Sequence, residues 1–91
     1  MKTNAIIADA KDAVVTLTSM VRKGELVSYY VGSDVLSIAA SEDIQQYHKI
    51  AVRDIKKGDA VIKYGESIGL ARIDIKAGDY VHTHNLSSDG R

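Results

Sequence analysis

Cysteine and proline are both absent from the 91 residues. The lack of cysteine removes disulfides, thiolate metal sites and thiol nucleophiles together, and it fits a reducing compartment. The lack of proline leaves turn formation to glycine, at "RKGE", "VGSD", "KKGD", "YGES", "IKAGD" and "SDGR". Charge of one sign is missing too: 12 basic and 12 acidic side chains give a formal net charge of zero. That balance offers no electrostatic case for nucleic acid or an anionic membrane surface. Long apolar runs are also wanting. In "MKTNAIIADAKDAVVTL", Asp9, Lys11 and Asp12 cut the apolar stretch far below a signal h-region or a membrane span. The expectation is a soluble, cytoplasmic chain with no nucleic-acid or membrane partner.

What the chain has is β character. Short runs rich in Val, Ile, Tyr and Thr ("AIIA", "AVVTLT", "LVSYYV", "VLSIAA", "KIAVRD", "AVIKYG", "LARIDI", "YVHTH") alternate with glycine and charged turn residues. No amphipathic pattern lasts long enough for a real helix. Two pieces, "TSMVRKG" and "SEDIQQYH", are expected as one-turn helices, the second capped by Ser41 with Glu42 and Asp43 in its first turn. The fold expected is all-β, a compact, mostly antiparallel domain over residues 1–91. A chain of this length buries a modest core, so a deep active site requires a partner.

An internal echo runs through the sequence. "DIKKGDAVIKYG" at residues 54–65 matches "DIKAGDYVHTHN" at 74–85 over its first six positions, save Lys57 against Ala77, and "MVRKGELVSYYV" at 20–31 is a fainter copy. Each copy is an apolar plug, a tight turn in which Gly58 or Gly78 takes positive φ, and a strand leaving it. The echo suggests pseudo-symmetric halves; the alternative is a set of independently good turns.

Two of the three histidines, His82 and His84, sit one residue apart in "VHTHN". On a strand, positions i and i+2 share a face, so both imidazoles are expected to converge while Thr83 faces the other way. Such a pair can hold a divalent metal or bind a carboxylate and a hydroxyl, and Asn85 adds a donor and an acceptor. Two ligands do not close a metal site, so a complete one would be shared with another chain. The bland alternative is a pair of exposed residues on an edge strand. His48, beside Lys49, can contact an anionic substrate or serve as a hydrogen-bonded structural residue. Lys63 can pair with a substrate carboxylate or stand solvated; on a strand, at most one of Lys63 and Tyr64 faces any pocket.

Residues 48–85, through "HK" at His48 and Lys49, "DIKKGD", "VIKYG", "IG" at Ile68 and Gly69, "IKAGD" and "VHTHN", resemble the SAF domain of the altronate and galactarate dehydratase family. One departure is Tyr47, where the resemblance implies a glycine; it leaves the shape of that turn open. The resemblance implies a β-clip fold and the role of a small subunit or module of a sugar-acid dehydratase, or of a related lyase such as the sulfolactate sulfo-lyases. It implies β-elimination from a small acidic substrate, assisted by a divalent metal such as iron or manganese. A larger catalytic subunit would supply most of the ligands and the base. In this scheme His82 and His84 are catalytic and contribute to the metal, while Asn85, His48 and Lys63 bind substrate. Self-association is expected when the larger chain is absent. The rival readings are a free-standing binding module for a small acidic carbohydrate and a non-catalytic structural module.

Overall fold

A computed structural model describes residues 2–88. Nine short strands make up the architecture: β1 (Ala5–Ile6), β2 (Val14–Leu17), β3 (Leu26–Val31), β4 (Asp34–Ala39), β5 (Lys49–Ala51), β6 (Ala60–Lys63), β7 (Glu66–Ala71), β8 (Tyr80–Val81) and β9 (Leu86–Ser87). They form an antiparallel sheet in the order β1-β2-β5-β8, a two-stranded ribbon β3-β4 and a three-stranded sheet β6-β7-β9. The all-β expectation holds. The one-turn helices do not form: Val21 and Ile44, one from each expected helix, pair as an antiparallel bridge instead. Ser41 donates its hydroxyl to Asp79 Oδ1 at 2.8 Å and caps nothing. No helix among the described residues is long and apolar enough to cross a membrane. Of the turn expected at "SDGR", only Ser88 lies within the described residues.

The central sheet is buried on both faces, and the sequence of β2 shows why. Side chains alternate across a strand, so Val15 and Leu17 enter one apolar cluster with Val21, Val27, Ile44 and Ile50. Val14 points the other way, into a second cluster with Ala51, Ile55, Val61, Ile75 and Val81. Every residue of "VVTL" except Thr16 is therefore fully buried, as in a two-sided sheet. Each such Val, Leu or Ile contributes about 1.5–3 kcal/mol by leaving water.

The internal echo is a structural unit, and it occurs four times. Val21, Ile44, Ile55 and Ile75 are the apolar plugs, paired as the bridges Val21–Ile44 and Ile55–Ile75. Each is followed by a tight turn closed by a backbone bond between residues three apart, from Glu25 to Arg22, His48 to Gln45, Asp59 to Lys56 and Asp79 to Lys76. Positive φ falls at Gly24 (86°), Tyr47 (71°), Gly58 (90°) and Gly78 (98°). The turn at Tyr47 thus keeps the shape that glycine gives the other three. Within each pair, the aspartate before one plug accepts an amide proton from the opposite turn: Asp54 from Ala77, Asp74 from Lys57 and Asp43 from Lys23, at 2.8–2.9 Å.

Two further constraints shape the end of the molecule that carries the site. Asp12, fully buried, accepts amide protons from Asp9, Tyr64 and Gly65 at 2.9–3.0 Å and ties the β6–β7 turn to the loop before β2. Burial alone would raise its pKa; the three amides and the Lys63 charge outweigh that and hold the carboxyl below its ordinary 3.8. Gly69, at φ 151° and buried, lets β7 approach β9 so closely that a Cβ would strike the Ser87 carbonyl.

Because the folded-state pKa of Asp12 is depressed, its contribution is fully present above the unfolded value of about 3.9 and is lost as pH falls through the folded value. Asp12→Asn is therefore expected to destabilise the protein by about 1.5–3 kcal/mol at neutral pH, with the gap to the wild type narrowing below about pH 3.9. Urea unfolding across a pH series measures both. Gly69→Ala is expected to cost about 3 kcal/mol or more, against about 1–2 kcal/mol for Gly24→Ala, which meets only the backbone penalty. Their unfolding midpoints give the comparison.

Candidate functional site

The segment "VHTHN" is not a continuous strand. β8 ends at Val81, and residues 82–85 form a turn closed by amide bonds from Asn85 and Leu86 to the His82 carbonyl. Asn85 causes this. Its side-chain oxygen accepts the His82 amide proton at 3.0 Å, and its Nδ2 donates to the Tyr80 carbonyl at 2.8 Å. With 3% of its surface exposed and both side-chain polar atoms bonded within the segment, Asn85 is a clamp that shapes the turn. The turn also overturns the expectation that His82 and His84 share a strand face with Thr83 opposite.

The histidines converge all the same, on a residue that the sequence did not single out. Tyr80 stacks its ring on His82, with centroids 5.6 Å apart and planes 10° from parallel, and meets His84 at 5.4 Å. His48 joins from the chain entering β5: its Nδ1 lies 2.6 Å from the Tyr80 hydroxyl, and its ring lies 5.6 Å from His82. The pairing of β5 with β8, Ile50 opposite Tyr80, brings these segments together across more than thirty positions of sequence. Both readings of His48 meet here, since it is hydrogen-bonded and half-buried yet belongs to the histidine cluster.

Beside the cluster lies an open cleft of about 540 Å³, with His82 on its wall. Lys49, Lys63 and Arg72 also line it, and among the described residues no carboxylate does. Ile68 and Leu86 supply its apolar part. Lys63 and Tyr64 both face the cleft, contrary to strand alternation, because the strand stops at Lys63 and Tyr64 turns back at φ 59°. The Lys63 ammonium then lies 3.6 Å from the centre of the Tyr64 ring. Thr83 lines the cleft with His82, whereas His84 reaches the assembly through Tyr80. Three cations next to an imidazole form a receptor for an anion, with a proton donor and acceptor at one end.

Among the described residues no group of three or more His, Asp or Glu side chains could hold a metal ion. Within that span, His82 and His84 have no third ligand of this kind beside them. Sequence reasoning missed Tyr80, Arg72 and the orientation of Lys49. Tyr80 had a signal, standing two residues before His82 at the exit of a repeated turn; Arg72 had none, because only the pairing of β7 with β9 brings it to the cleft wall.

Comparison with known proteins agrees with this architecture. The model of the altronate/galactarate dehydratase SAF domain matches residues 3–89. The chain is 37% identical over 79 residues to the altronate dehydratase of Bacillus subtilis (strain 168), and 47% identical over 59 residues to that of Escherichia coli (strain K12). These alignments take in 87% and 65% of the chain but only 15% and 12% of the two dehydratases. With the (2R)-sulfolactate sulfo-lyase subunit alpha of Chromohalobacter salexigens it is 32% identical over an alignment covering 97% of each protein. A match over nearly the whole chain, joined to a small all-β structure with the expected repeated turns, places this protein in the altronate/galactarate dehydratase SAF-domain family.

Proposed function

We propose that the chain is the small SAF-type component of a lyase, which completes the active site of a larger catalytic chain and helps it eliminate water or sulfite from a small polar acid. The observation that carries this reading is the position of His82, where the Tyr80–histidine cluster meets the cationic cleft. The names of the relatives, two dehydratases and one lyase subunit called alpha, support a lyase context and a second, larger chain. Exposure of His82 and His84 and the openness of the cleft support a site finished by a partner, since a reaction centre left in bulk water loses most of its electrostatic leverage.

In this reading Lys49, Lys63 and Arg72 hold the carboxylate of the substrate and stabilise the charge that develops on it in an enolate-like transition state. A base on the larger chain removes the proton next to the carboxylate. The electron pair of that C–H bond forms the double bond, and the bond to the β-substituent breaks. Where the leaving group is a hydroxyl, a protonated His82 gives it a proton and water departs; a sulfonate group would leave as sulfite without one. His48 and His84, held on the same tyrosine, maintain the local supply of exchangeable protons. A divalent metal, iron or manganese, would be held in the assembled enzyme mainly by the larger chain and would add Lewis-acid stabilisation of the same developing charge.

Assembly is the first test. Among the described residues β4 pairs with β3 alone, and Leu26 and Leu36 of this ribbon are 60% and 46% exposed, which favours association. Co-expression with a large dehydratase-type chain should yield a complex that survives size exclusion. A strictly monomeric chain that ignores the larger one would return the reading to a free binding module.

Turnover of that complex is the second test. His82→Ala should lower kcat by about a hundredfold or more, the scale of losing an acid–base group. Lys63→Met and Arg72→Met should act mainly on KM. Because His82 is exposed, its removal should cost well under the roughly 2–5 kcal/mol of a core deletion. Asn85→Ala, by contrast, should lose stability as well as turnover because it leaves the His82 amide and the Tyr80 carbonyl without their partner. Full activity of His82→Ala would place the reacting groups entirely on the partner.

A further inference from the structure

One of the four turns breaks the pattern of the other three. Gly24–Glu25, Gly58–Asp59 and Gly78–Asp79 each put a glycine and then an acid at the tip, but the fourth turn has Tyr47–His48. In two of the regular turns the acid folds back on its own loop: Glu25 accepts the Arg22 amide proton at 3.0 Å, and Asp79 accepts that of Lys76 at 2.9 Å. Histidine replaces the acid in the fourth, and no such bond to the Gln45 amide is made there. Tyr47 has to adopt φ 71°, a left-handed conformation strained for any residue with a Cβ, while its side chain is 74% exposed and gains little from burial. Neither departure benefits the turn, and the second has a visible product. With the turn's shape kept, the histidine in the acid's place lies with Nδ1 2.6 Å from the Tyr80 hydroxyl.

The chemistry of that contact is directional. At neutral pH a phenol keeps its proton and donates it, and a neutral imidazole has one nitrogen able to accept. With Tyr80 donating to Nδ1, the ring proton of His48 must reside on Nε2. The opposite arrangement, Nδ1–H donating to the phenol oxygen, would leave the phenolic proton without a protein acceptor among the described residues. The Tyr80 main chain is fixed as well, since Asn85 Nδ2 binds its carbonyl.

We propose that Tyr80 is a positioning residue, whose hydroxyl holds His48 in the single tautomer that carries its proton on Nε2 and whose ring carries His82 and His84. The turn presents that imidazole to it from its tip. This inference rests on the lyase reading only for its consequence in catalysis; the tautomer itself is a property of the isolated chain.

The test is nitrogen-15 NMR of the histidine rings in the full chain, under conditions where His48 is neutral, for the wild type and for Tyr80→Phe. Phenylalanine keeps the ring on which His82 and His84 pack and deletes only the hydroxyl. The wild type should show His48 Nδ1 at the shift of an unprotonated nitrogen and Nε2 at that of a protonated one. Tyr80→Phe should move both resonances toward the average of two exchanging tautomers. In the assembled enzyme, the same variant should lower kcat about tenfold or more with little change in KM, as expected when an imidazole loses the group that orients it. A wild-type His48 with its proton on Nδ1 would overturn the proposal even if the variant failed to fold, and so would a spectrum that Tyr80→Phe leaves unchanged. If the lyase reading alone is wrong, the tautomer result stands and no complex or turnover is obtained.

Discussion

The crossed pairing of turns is the constraint on which the rest of this small protein depends. Four short loops, each with an apolar plug, would be weak elements alone, because a two-residue bridge carries too few hydrogen bonds to persist in water. Joined in pairs, they lock through three aspartate carboxylates that reach across to the partner's amides, while their plugs fill opposite faces of one sheet. The strands entering and leaving the turns are thereby fixed in direction although none exceeds six residues. This is how a protein with almost no helix and no disulfide holds several surface groups in register.

The site is a by-product of the same device. β5 and β8 each emerge from a turn, one from each pair, and meet antiparallel in the central sheet. Whatever sits at the tip of one turn and at the exit of the other must come together, and here those residues are His48 and Tyr80. The cationic side of the cleft comes from a second device, the buried Asp12 carboxylate. It holds the Tyr64–Gly65 turn in place, and with it the end of β6 from which Lys63 extends. The Asp12 carboxylate behind the turn and the Lys63 ammonium in front of it attract each other, which helps hold the Asp12 pKa below its ordinary value.

Backbone strain marks the same region. Tyr47 and Tyr64 are the non-glycine residues at positive φ among the described residues, and both are exposed aromatics, one beside the histidine cluster and one on the cleft. Strain of this kind persists only where surrounding bonds over-determine the conformation, as the Asp12 carboxylate does for Tyr64 and the Leu17 carbonyl, accepting the Tyr47 amide, does for Tyr47. Glycine would serve the backbone better at either place, and the Tyr64 ring lies under the Lys63 ammonium.

The strand-rich composition, the glycine turns and the "DIKKGD"/"DIKAGD" echo with its fainter copy "MVRKGE" determined the all-β class and three of the four paired loops, because β propensity and turn chemistry act between near neighbours in the chain. The family motif was local in the same sense, and it directed attention to His48, Lys63, His82 and His84. Strand periodicity failed at "VHTHN" and at "KY", where alternation stops at the last hydrogen-bonded residue: Asn85 folds one segment into a turn, and Asp12 holds the other in a tight reversal. The fourth turn, the Tyr80 hub and the contribution of Arg72 were decided by tertiary structure alone. Each depends on a register between strands far apart in sequence, Lys49 with Val81 or Leu70 with Ser87, and such pairings are selected by burying both faces of the central sheet at once.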